Sequence, residues 1–511
     1  MRRTRTVAPL VAGLLLGLVS CRGGGRPSGK ARELTVSVSF ELTSLDPHLH
    51  NRLASYSVLQ HSYEALVAAD REMTMRPALA VRWENPDAHT WVFHLRREAV
   101  FHDGTPLTAR DVEATFQRLL ADPNLGASGY VVNIDRVKAL DDHVFELHTK
   151  TPMAVLLNKL RFVLIAKADA LKGNLAGSLV GTGPYALESF EPGTRVSFRR
   201  NDAYWGEKPA ASRVTLLLGR TPGKALEDAR SGRADVVQTG PRLVGENAVP
   251  GYRTVRQSGI FVKSLGFDLT PLHGETDERR KSPFRDVRVR RAASLAIDRR
   301  ALLKDLGLAG APATQIVPSF IFGFNPDLPQ LGFDPVKARA LLAEAGHPDG
   351  IDVTLHARRL LAETAAKVGA LLTAVGIRTT VVVLPDAEYF DLVTSRKAQF
   401  FLSRYGCPTG DASDLLDNFV HSSDQVGRWG SSNSGQYSNP QLDALIEESL
   451  SVLDMGRRGP LLQRIMAIVM DDLGWVPLYI DDEVYLVREG VLFPPRNDNY
   501  VLAQDMGFET K

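Results

Sequence analysis

Apolar residues recur along the chain with two different spacings, and both are needed to describe it. Between positions 91 and 95, Trp91, Phe93 and Leu95 alternate with their neighbours, which predicts a strand with one buried face. Further along, apolar residues recur every three or four positions, which predicts a helix; this stripe consists of Val112, Phe116, Leu119 and Leu120. Because the spacing keeps switching from Glu33 onward, the pattern predicts a mixed α/β chain and excludes a helical bundle or a β-sandwich.

Local signals mark where several of these helices begin. Thr108, with Asp111 at the third helical position, predicts a capping box in which side chains and backbone cap each other. Asn439-Pro440 and Asp334-Pro335 each predict a capping residue followed by proline at the first helical position, where proline costs no hydrogen bond. The apolar stripes behind these two starts are Leu442, Leu445, Ile446 and Leu450, and Ala338, Leu341, Leu342 and Ala345.

Glycines mark where two of the helices end. Gly346 follows the stripe behind Asp334, and glycine suits the left-handed conformation that closes a helix. Gly376 follows a second stripe, which consists of Val368, Leu371, Leu372 and Val375. The run from Ile377 to Leu384 is rich in β-branched residues, so this segment predicts a helix-to-strand unit of an α/β domain.

The start of the chain has the layout of an export signal. Basic residues at positions 2, 3 and 5 precede the apolar run from Val7 to Val19, which is too short to span a bilayer comfortably. Leu18-Val19-Ser20-Cys21 resembles a bacterial lipobox, in which the cysteine thiol receives a diacylglycerol. We therefore expect residues 1–20 to be a signal peptide and Cys21 to be the lipidated first residue of the mature chain; an ordinary cleaved signal with an incidental cysteine is the alternative.

Residues 21–32 predict a flexible tether between the lipid and the folded protein. They are rich in Gly, Ser and basic side chains and carry no apolar period. Arg22 follows Cys21, which leaves anchoring to the outer membrane open. No later segment has the length and apolarity of a transmembrane helix, so we expect the rest of the chain to lie in solvent.

Length and charge limit the function classes. A chain of 511 residues exceeds what a single core usually supports, so two or three domains are expected. With 61 Lys and Arg against 59 Asp and Glu, the formal net charge is only +2, which argues against nucleic acid as a partner. The only cysteine besides Cys21 is Cys407, so lipidation of Cys21 would exclude an intramolecular disulfide.

Five stretches, in one order along the chain, resemble solute-binding protein family 5, the dipeptide, oligopeptide and nickel-binding extracellular proteins of ABC transporters. The most specific is the run from Phe101 to Val112. The full set is Ser44-Leu45-Asp46-Pro47 with Tyr63-Glu64-Ala65-Leu66-Val67, Phe101 to Val112, Gly181-Thr182-Gly183-Pro184-Tyr185 with Asn201 to Gly206, Phe284 to Arg290 with Ala296 to Arg299, and Tyr437 to Pro440 with Asp443 and Pro477-Leu478-Tyr479. Together they cover nearly the whole mature chain.

The resemblance implies an α/β fold of the type II periplasmic-binding-protein class, cluster C. In this fold two α/β lobes are joined by a two-strand hinge, one lobe carries an extra domain, and the ligand is enclosed between the lobes. By analogy, lobe I would comprise residues 33–66, 176–265 and 476–511, the extra domain residues 67–175, and lobe II residues 266–475.

The resemblance also implies a function. It implies a binding protein and not an enzyme, which captures a small ligand, peptide or peptide-like, and delivers it to the permease subunits of an ABC transporter. We expect a monomer without a cofactor, in the periplasm or cell envelope and held to a membrane by its lipid. A sensory receptor and a metal-chelate binder of the same fold are alternatives. A secreted hydrolase is a further alternative, although the chain has no HExxH or GxSxG motif.

The resemblance places the candidate binding site in one stretch of lobe II. In family members that bind peptides, an aspartate that follows an aromatic residue pairs with the amino terminus of the ligand, and a nearby arginine can pair with its carboxylate. Here Tyr405 has the aromatic position, but Pro408 stands at the position of the aspartate. Asp411 is the nearest substitute, and a cap or turn before Leu415 is its structural alternative.

Several other residues complete the candidate site. Arg358 and Arg359 lie near the position of the carboxylate-binding arginine, with a solvated surface pair as the alternative. Cys407 is interpreted as a packing residue and not a nucleophile, because no histidine is close in sequence. The full candidate set is Arg404, Tyr405, Gly406, Cys407, Asp411, His48, His50, Asn51, Arg358 and Arg359.

Two apparent motifs are not assigned a function. The run from Gly181 to Ala186 mimics a dinucleotide-binding loop, but Pro184 and a β-like segment follow where that loop requires a helix. His48 and His50 are two apart, but such a pair lies at the surface more often than in a metal site. No metal site is therefore predicted.

Overall fold

The computed structural model describes residues 32–173, 175–177, 179–242, 249–270, 282–424 and 429–509. The predicted signal peptide, Cys21 and nearly all of the tether lie outside the described residues. Within the described part, no helix is both long and apolar enough to cross a membrane.

The strands of the described residues are distributed along the whole chain. They are β1 Glu33–Ser37, β2 Val67–Ala69, β3 Met75–Pro77, β4 Ala80–Glu84, β5 Thr90–Leu95, β6 Ile134–Ala139, β7 Val144–Thr149, β8 Tyr185–Glu191, β9 Arg195–Arg200, β10 Arg213–Leu217, β11 Val236–Gln238, β12 Tyr252–Phe267, β13 Gly310–Pro312, β14 Ile351–Arg358, β15 Ile377–Leu384, β16 Phe400–Gly406, β17 Trp475–Arg488, β18 Val491–Leu492 and β19 Gly507–Phe508.

Helices alternate with these strands. They are α1 Leu53–Leu59, α2 Ala109–Ala121, α3 Leu156–Leu160, α4 Pro222–Arg230, α5 Val287–Leu295, α6 Arg299–Leu306, α7 Pro335–Glu344, α8 Ala362–Thr373, α9 Asp386–Thr394, α10 Ser413–Leu415, α11 Pro440–Ser451 and α12 Met455–Asp472. Helix α10 continues into a π-helical turn, Leu416–Val420.

One large sheet runs through the molecule. Among the described residues it contains eleven strands, in the order β15-β14-β16-β12-β17-β11-β1-β10-β9-β8, with β13 paired to β17. Strand β1 is parallel to β10 and β11, and β14 is parallel to β15 and β16. Parallel pairs in both halves of the sheet are typical of two α/β units, and the edge β10-β9-β8 is antiparallel.

Two long strands, β12 and β17, connect the two halves of this sheet. The first part of β12, Tyr252–Ser258, pairs with Arg488–Asp482 of β17, and its last part also pairs with β16. The register between β12 and β17 shifts between Ser258 and Val262. At Gly259 a Cβ atom would lie 2.4 Å from the backbone oxygen of Asp481, so only glycine allows the strands to approach this closely here.

Separate hydrophobic cores define the parts of the structure that we call lobe I, lobe II and the extra domain. The lobe I core is represented by Val36, Tyr56, Val214, Phe198 and Val501. The extra-domain core is represented by Phe93, Val112, Phe116, Phe145 and Leu160, and it lies against the separate sheet β4-β5-β7-β6. Lobe II has two cores, represented by Val289, Leu355 and Leu402, and by Leu416, Ile446 and Leu462. The residue borders predicted for these parts stay predictions.

The elements predicted from apolar spacing are present in the structure. Trp91, Phe93 and Leu95 are buried on one face of β5, as predicted. On α2, Val112, Phe116 and Leu119 are buried as predicted, but Leu120 is 37% exposed and lies at the edge of the stripe. Positions three or four residues apart do not fall in exact line on a helix of 3.6 residues per turn, so a stripe of them turns slowly around the axis. Leu120 lies at the point where the stripe turns away from the core.

The predicted helix ends are also present. The capping box of Thr108 and Asp111 is formed at the start of α2. The side chains of Asn439 and Asp334 accept hydrogen bonds from backbone N–H groups of the first turns of α11 and α7. Gly346 follows α7 with a φ of +90°, in the left-handed region that the prediction requires. These ends form from residues close in sequence, which is why the sequence alone predicts them.

Candidate functional site

A cavity of about 520 Å³ lies where lobe I, lobe II and the two connecting strands meet. Its walls consist of Phe40, Asn51, Arg52, Leu53, Ala54, Ser57, Gln238, Phe261, Arg404, Gly406, Pro408, Glu483 and Asn499. The residues from β1, β11 and β16 stand at or just beyond the carboxyl ends of their strands, which is where ligands bind in open α/β sheets.

Lobe I forms one wall of the cavity, largely from the start of α1. Asn51 and Arg52 precede the helix and are exposed, while Ser57 is buried within it. Gln238 ends β11, and its amide oxygen accepts hydrogen bonds from the backbone and hydroxyl of Ser39 at 3.2 and 3.1 Å. Its amide nitrogen donates to the carboxylate of Glu483 at 2.9 Å. These contacts hold the polar groups of the lobe I wall in fixed positions.

The connecting strands form the floor and bring charged groups into it. Lys263 of β12 is only 2% exposed and donates a hydrogen bond to the carboxylate of Asp481 of β17. The pair bridges the two strands beside the shift in their register. Burial lowers the pKa of Lys263 and raises the pKa of Glu483, because an ion loses hydration when it leaves water.

Lobe II forms the opposite wall from the end of β16. The guanidinium of Arg404 lies over the ring of Phe261, 4.2 Å from its centre. Burial lowers the pKa of Arg404. Gly406 lies against the same ring, and a Cβ at this position would come within 2.7 Å of it. The end of β16 therefore needs a glycine to accommodate the stacked pair.

The cavity receives every second residue of the predicted stretch. Arg404, Gly406 and Pro408 line it, whereas Tyr405 and Cys407 do not. Successive side chains of an extended segment point to opposite faces, so one cavity cannot receive adjacent residues. The ring of Tyr405 instead packs against Phe419, 4.1 Å away between centres.

Cys407 is part of the lobe II core. It is 1% exposed, and its thiol donates to the backbone oxygen of Asp411 at 2.9 Å. Burial raises the pKa of this thiol well above its ordinary value. A protonated, enclosed thiol is a poor nucleophile, so the geometry agrees with interpreting Cys407 as a packing residue.

The structure places Asp411 away from the cavity. It is 1% exposed, and one of its oxygens accepts a hydrogen bond from Arg458 at 2.8 Å while the other also contacts that guanidinium. The first oxygen accepts a second bond from the hydroxyl of Ser413 at 2.7 Å. A protein arginine therefore occupies the carboxylate of Asp411, and Asp411 is not among the residues that line the cavity.

His48 is also turned into the protein and not into the cavity. It is fully buried, and its Nδ1 lies 2.7 Å from Arg118 and its Nε2 2.8 Å from the backbone oxygen of Leu164. Arginine can only donate, so Nδ1 accepts and the proton resides on Nε2. Burial lowers the pKa of His48 to about 4. Arg118 also pairs with Asp46 at 2.6 Å, so this cluster fixes the start of lobe I to α2 of the extra domain.

Of the remaining predicted residues, one lines the cavity and the others lie outside it. Asn51 lines the cavity, but half-buried His50 does not. Arg358 pairs with Asp386 and lies 5.0 Å from the centre of the Phe390 ring, outside the cavity walls. Arg359 is exposed and does not line the cavity. In the described ranges, no group of three or more His, Cys, Asp or Glu side chains could hold a metal ion.

Sequence reasoning missed most of the charged floor. Glu483 and Asp481 are more than two hundred residues distant from their partners Gln238 and Lys263, so their pairing cannot be deduced from spacing. One signal was available: the strand-like run around Ile480 is interrupted by three consecutive acidic residues, which a buried strand does not carry without a reason.

Curated proteins resemble this chain along nearly its whole length. The periplasmic oligopeptide-binding protein OppA of Escherichia coli K12 is 25% identical, over 96% of this chain and 95% of the relative. The glutathione-binding protein GsiB of Escherichia coli K12 is 27% identical, over 88% of this chain and 89% of the relative.

Solved structures share the fold. The periplasmic binding protein DppA of Helicobacter pylori, in complex with the peptide STSA, superposes with a TM-score of 0.76 at 22% identity, over 94% of this chain and 98% of that one. OppA of Haemophilus influenzae, in complex with RPPGFSPFR, superposes with a TM-score of 0.71 at 21% identity, over 94% of this chain and 99% of that one. These likenesses confirm the predicted type II periplasmic-binding-protein fold.

The family model described as bacterial extracellular solute-binding proteins, family 5 Middle, matches residues 74–427, which is more than half of the chain. This confirms the family that the five sequence stretches indicated. The chain belongs to the bacterial extracellular solute-binding proteins of family 5.

Proposed function

We propose that this protein captures a small peptide or peptide-like ligand between its two lobes and delivers it to the permease subunits of an ABC transporter. The observation that carries the proposal is the cavity of about 520 Å³, whose walls come from both lobes and from the strands that connect them. A volume of roughly 300–1,000 Å³ is usual for small-molecule sites.

The position of the cavity supports a closing movement. A ligand that contacts both Asn51 of lobe I and Arg404 of lobe II stabilises the closed arrangement by contacts that an open arrangement lacks. The two connecting strands run beside the cavity, and their register shifts between Ser258 and Val262, next to Gly259. Hinges of this kind absorb the movement in a few residues while the lobes stay rigid.

The named relatives support the ligand class. OppA binds oligopeptides and GsiB binds glutathione, as their names state, and both match nearly the whole chain. One chain supplies both walls of the cavity, so a monomer suffices for binding. A diacylglycerol on Cys21 would hold the protein at the membrane that contains the permease, with residues 21–32 as the tether.

Identification of the ligand by mass spectrometry tests the proposal. The full chain is produced in a bacterial host, purified gently, and unfolded to release what it carries. The account predicts peptides or peptide-like molecules in the released fraction. Release of sugars or of metal chelates alone would contradict the peptide class.

A pair of alanine variants makes this test specific to the cavity. Ala54 lies in the first turn of α1 and lines the cavity, whereas Ala121 is exposed at the end of α2. Ala54→Trp fills part of the cavity and is expected to reduce the amount of bound ligand strongly, while Ala121→Trp keeps it. Equal ligand content in both variants would place the binding site elsewhere.

A further inference from the structure

The guanidinium of Arg404 has no ionic partner within the described residues. It lies over the ring of Phe261, 4.2 Å from the ring centre, and burial lowers its pKa. Other arginines of lobe II are satisfied: Arg458 pairs with Asp411, and Arg299 donates to the backbone oxygen of Pro477 at 2.8 Å. A guanidinium that is withdrawn from water without a partner costs free energy that a bound anion recovers.

The acidic groups of the cleft floor already have other partners. Asp481 accepts from Lys263, and Glu483 accepts from Gln238 at 2.9 Å. Burial raises the pKa of Glu483, while the charges of Lys263 and Arg404 act to lower it. Both acids attract Arg404 electrostatically, but neither lies within ion-pair distance of it, so its N–H groups donate to no carboxylate of the described residues.

The wall beside Arg404 offers no carboxylate either. Pro408 follows it at the end of the same segment, at the position where the family resemblance places an amine-binding aspartate. Phe40 and Leu53 add apolar surface to the cavity, beside polar side chains that include Asn51 and Asn499. Apolar surface of this kind strengthens an ionic contact, because less water competes for it.

Stacking on Phe261 leaves the edge of the Arg404 guanidinium, with its N–H groups, free to bind an anion. The ring of Phe261 covers one face of the guanidinium, and the N–H groups point outward within the plane. Two of these N–H groups match the two oxygens of a carboxylate.

We propose that Arg404 binds a carboxylate of the ligand at the cleft floor, and that binding does not depend on a free ammonium group. This inference rests on the proposed function and specifies its ligand: acidic, with an unmodified carboxylate, and tolerant of a blocked amino end. In this arrangement the protein supplies a positive charge to a negative group of the ligand, whereas an aspartate at position 408 would supply a negative charge to a positive group.

Chemically modified peptide mixtures test the inference. The probe is a random mixture of tri- to pentapeptides, used as such, after N-acetylation, and after C-amidation. Binding is measured by isothermal titration calorimetry on the purified full chain from which bound ligand has been removed by unfolding and refolding. We expect the free and N-acetylated mixtures to bind alike and the C-amidated mixture to bind at least about 30-fold more weakly, as for loss of one member of a buried charge pair.

Three variants assign this selectivity to one side chain. Arg404→Gln is expected to bind the free and C-amidated mixtures equally weakly, and Arg404→Lys to retain part of the preference because it keeps the charge. Arg300→Gln, the same substitution at an exposed position of α6 in the same lobe, is expected to behave as the unmodified protein. Melting temperatures of the ligand-free variants confirm that each one folds.

The outcomes separate the inference from the proposed function. Binding that is lost on N-acetylation and kept on C-amidation would overturn the inference and leave the proposed peptide binding intact. An Arg404→Gln variant that folds and still prefers free carboxylates would also overturn it. Failure of all three mixtures to bind would overturn both the peptide class and the inference.

Discussion

The carboxylate of Asp411 and the guanidinium of Arg458 form a fully buried ion pair, with an Oδ1 to Nη2 distance of 2.8 Å and exposed side-chain fractions of 1% and 0%. The pair joins the segment that follows β16 to α12. Arg458 also donates to the backbone oxygen of Ser449 at 2.8 Å, so it ties α11 into the same cluster. The Asp411–Arg458 pair therefore stabilises, from the side away from the cavity, the segment on which Arg404 and Pro408 lie.

Loss of this buried pair is expected to reduce stability and not to abolish ligand binding directly. Asp411→Asn leaves the Arg458 charge buried without a partner, so we expect the free energy of unfolding to fall by about 3–5 kcal/mol. Urea denaturation monitored by circular dichroism measures the loss. Asp471→Asn is the matched control: its side chain is 79% exposed in a surface pair with Arg291, so it should cost less than about 1 kcal/mol. Equal losses in the two variants would contradict the structural role.

His48 predicts a loss of stability in acid. Burial lowers its pKa from the ordinary value of 6.5 to about 4, so between these values the unfolded chain binds a proton that the folded chain does not. Stability is fully present above pH 6.5 and falls as the pH decreases toward 4, by about 3 kcal/mol from this residue. Urea denaturation at a series of pH values measures the slope.

The variant His48→Gln isolates this contribution. It should be less stable than the unmodified protein at neutral pH and should show a shallower decline in acid. Part of the decline is expected to remain, because burial also lowers the pKa of His61 to about 4. An unchanged slope in His48→Gln would show that the imidazole is not held neutral by the fold.

Glu64 is expected to give the opposite dependence of stability on pH. It accepts hydrogen bonds from Thr182, Tyr204 and Trp205 at 2.7, 2.9 and 3.0 Å, yet burial raises its pKa to about 7. Between its ordinary value of 4.5 and about 7 the folded chain keeps a proton that the unfolded chain loses, so stability decreases as the pH rises through this window. Glu64→Gln has nearly the same shape and should be relatively more stable at pH 8 than at pH 5. The prediction would be contradicted if Glu64→Gln and the unmodified protein differed in stability by the same amount at pH 5 and at pH 8.

The two cysteines allow a controlled test of the lipid anchor. Cys21→Ser should prevent attachment of diacylglycerol, so the protein should move from the membrane fraction to the soluble fraction of the cell envelope. Cys407→Ser is the matched control, because this thiol is 1% exposed and inaccessible to a lipid-transferring enzyme. Mass spectrometry of the N-terminal peptide measures the modification. A Cys21→Ser chain that still carries lipid would contradict the assignment.

The fold follows from signals that act over short distances. Thr108, Asn439 and Asp334 each cap a helix within three residues of themselves, and the alternation at Trp91 and Phe93 defines a buried face within one strand. Such contacts can be predicted from sequence because the residues that make them are neighbours in the chain.

The cavity depends on contacts between distant residues, and the sequence predicts it only in part. Arg404, Gly406 and Asn51 line it, but the alternation of an extended segment turns Tyr405 and Cys407 away. Asp411 looks equally available in the sequence, yet its partner Arg458 is 47 residues further along. Likewise, nothing near Glu483 in sequence reveals that Gln238 holds it in the floor of the cavity.

Small-angle X-ray scattering on the same sample with and without ligand tests most directly whether the lobes close on a guest. The refolded, ligand-free chain is measured alone and with a saturating tri- to pentapeptide mixture, and saturation is established by calorimetry. The account predicts a smaller radius of gyration and a shorter maximum dimension in the saturated sample, because a ligand that contacts both walls favours the closed arrangement. Identical scattering curves at saturation would contradict capture between two moving lobes.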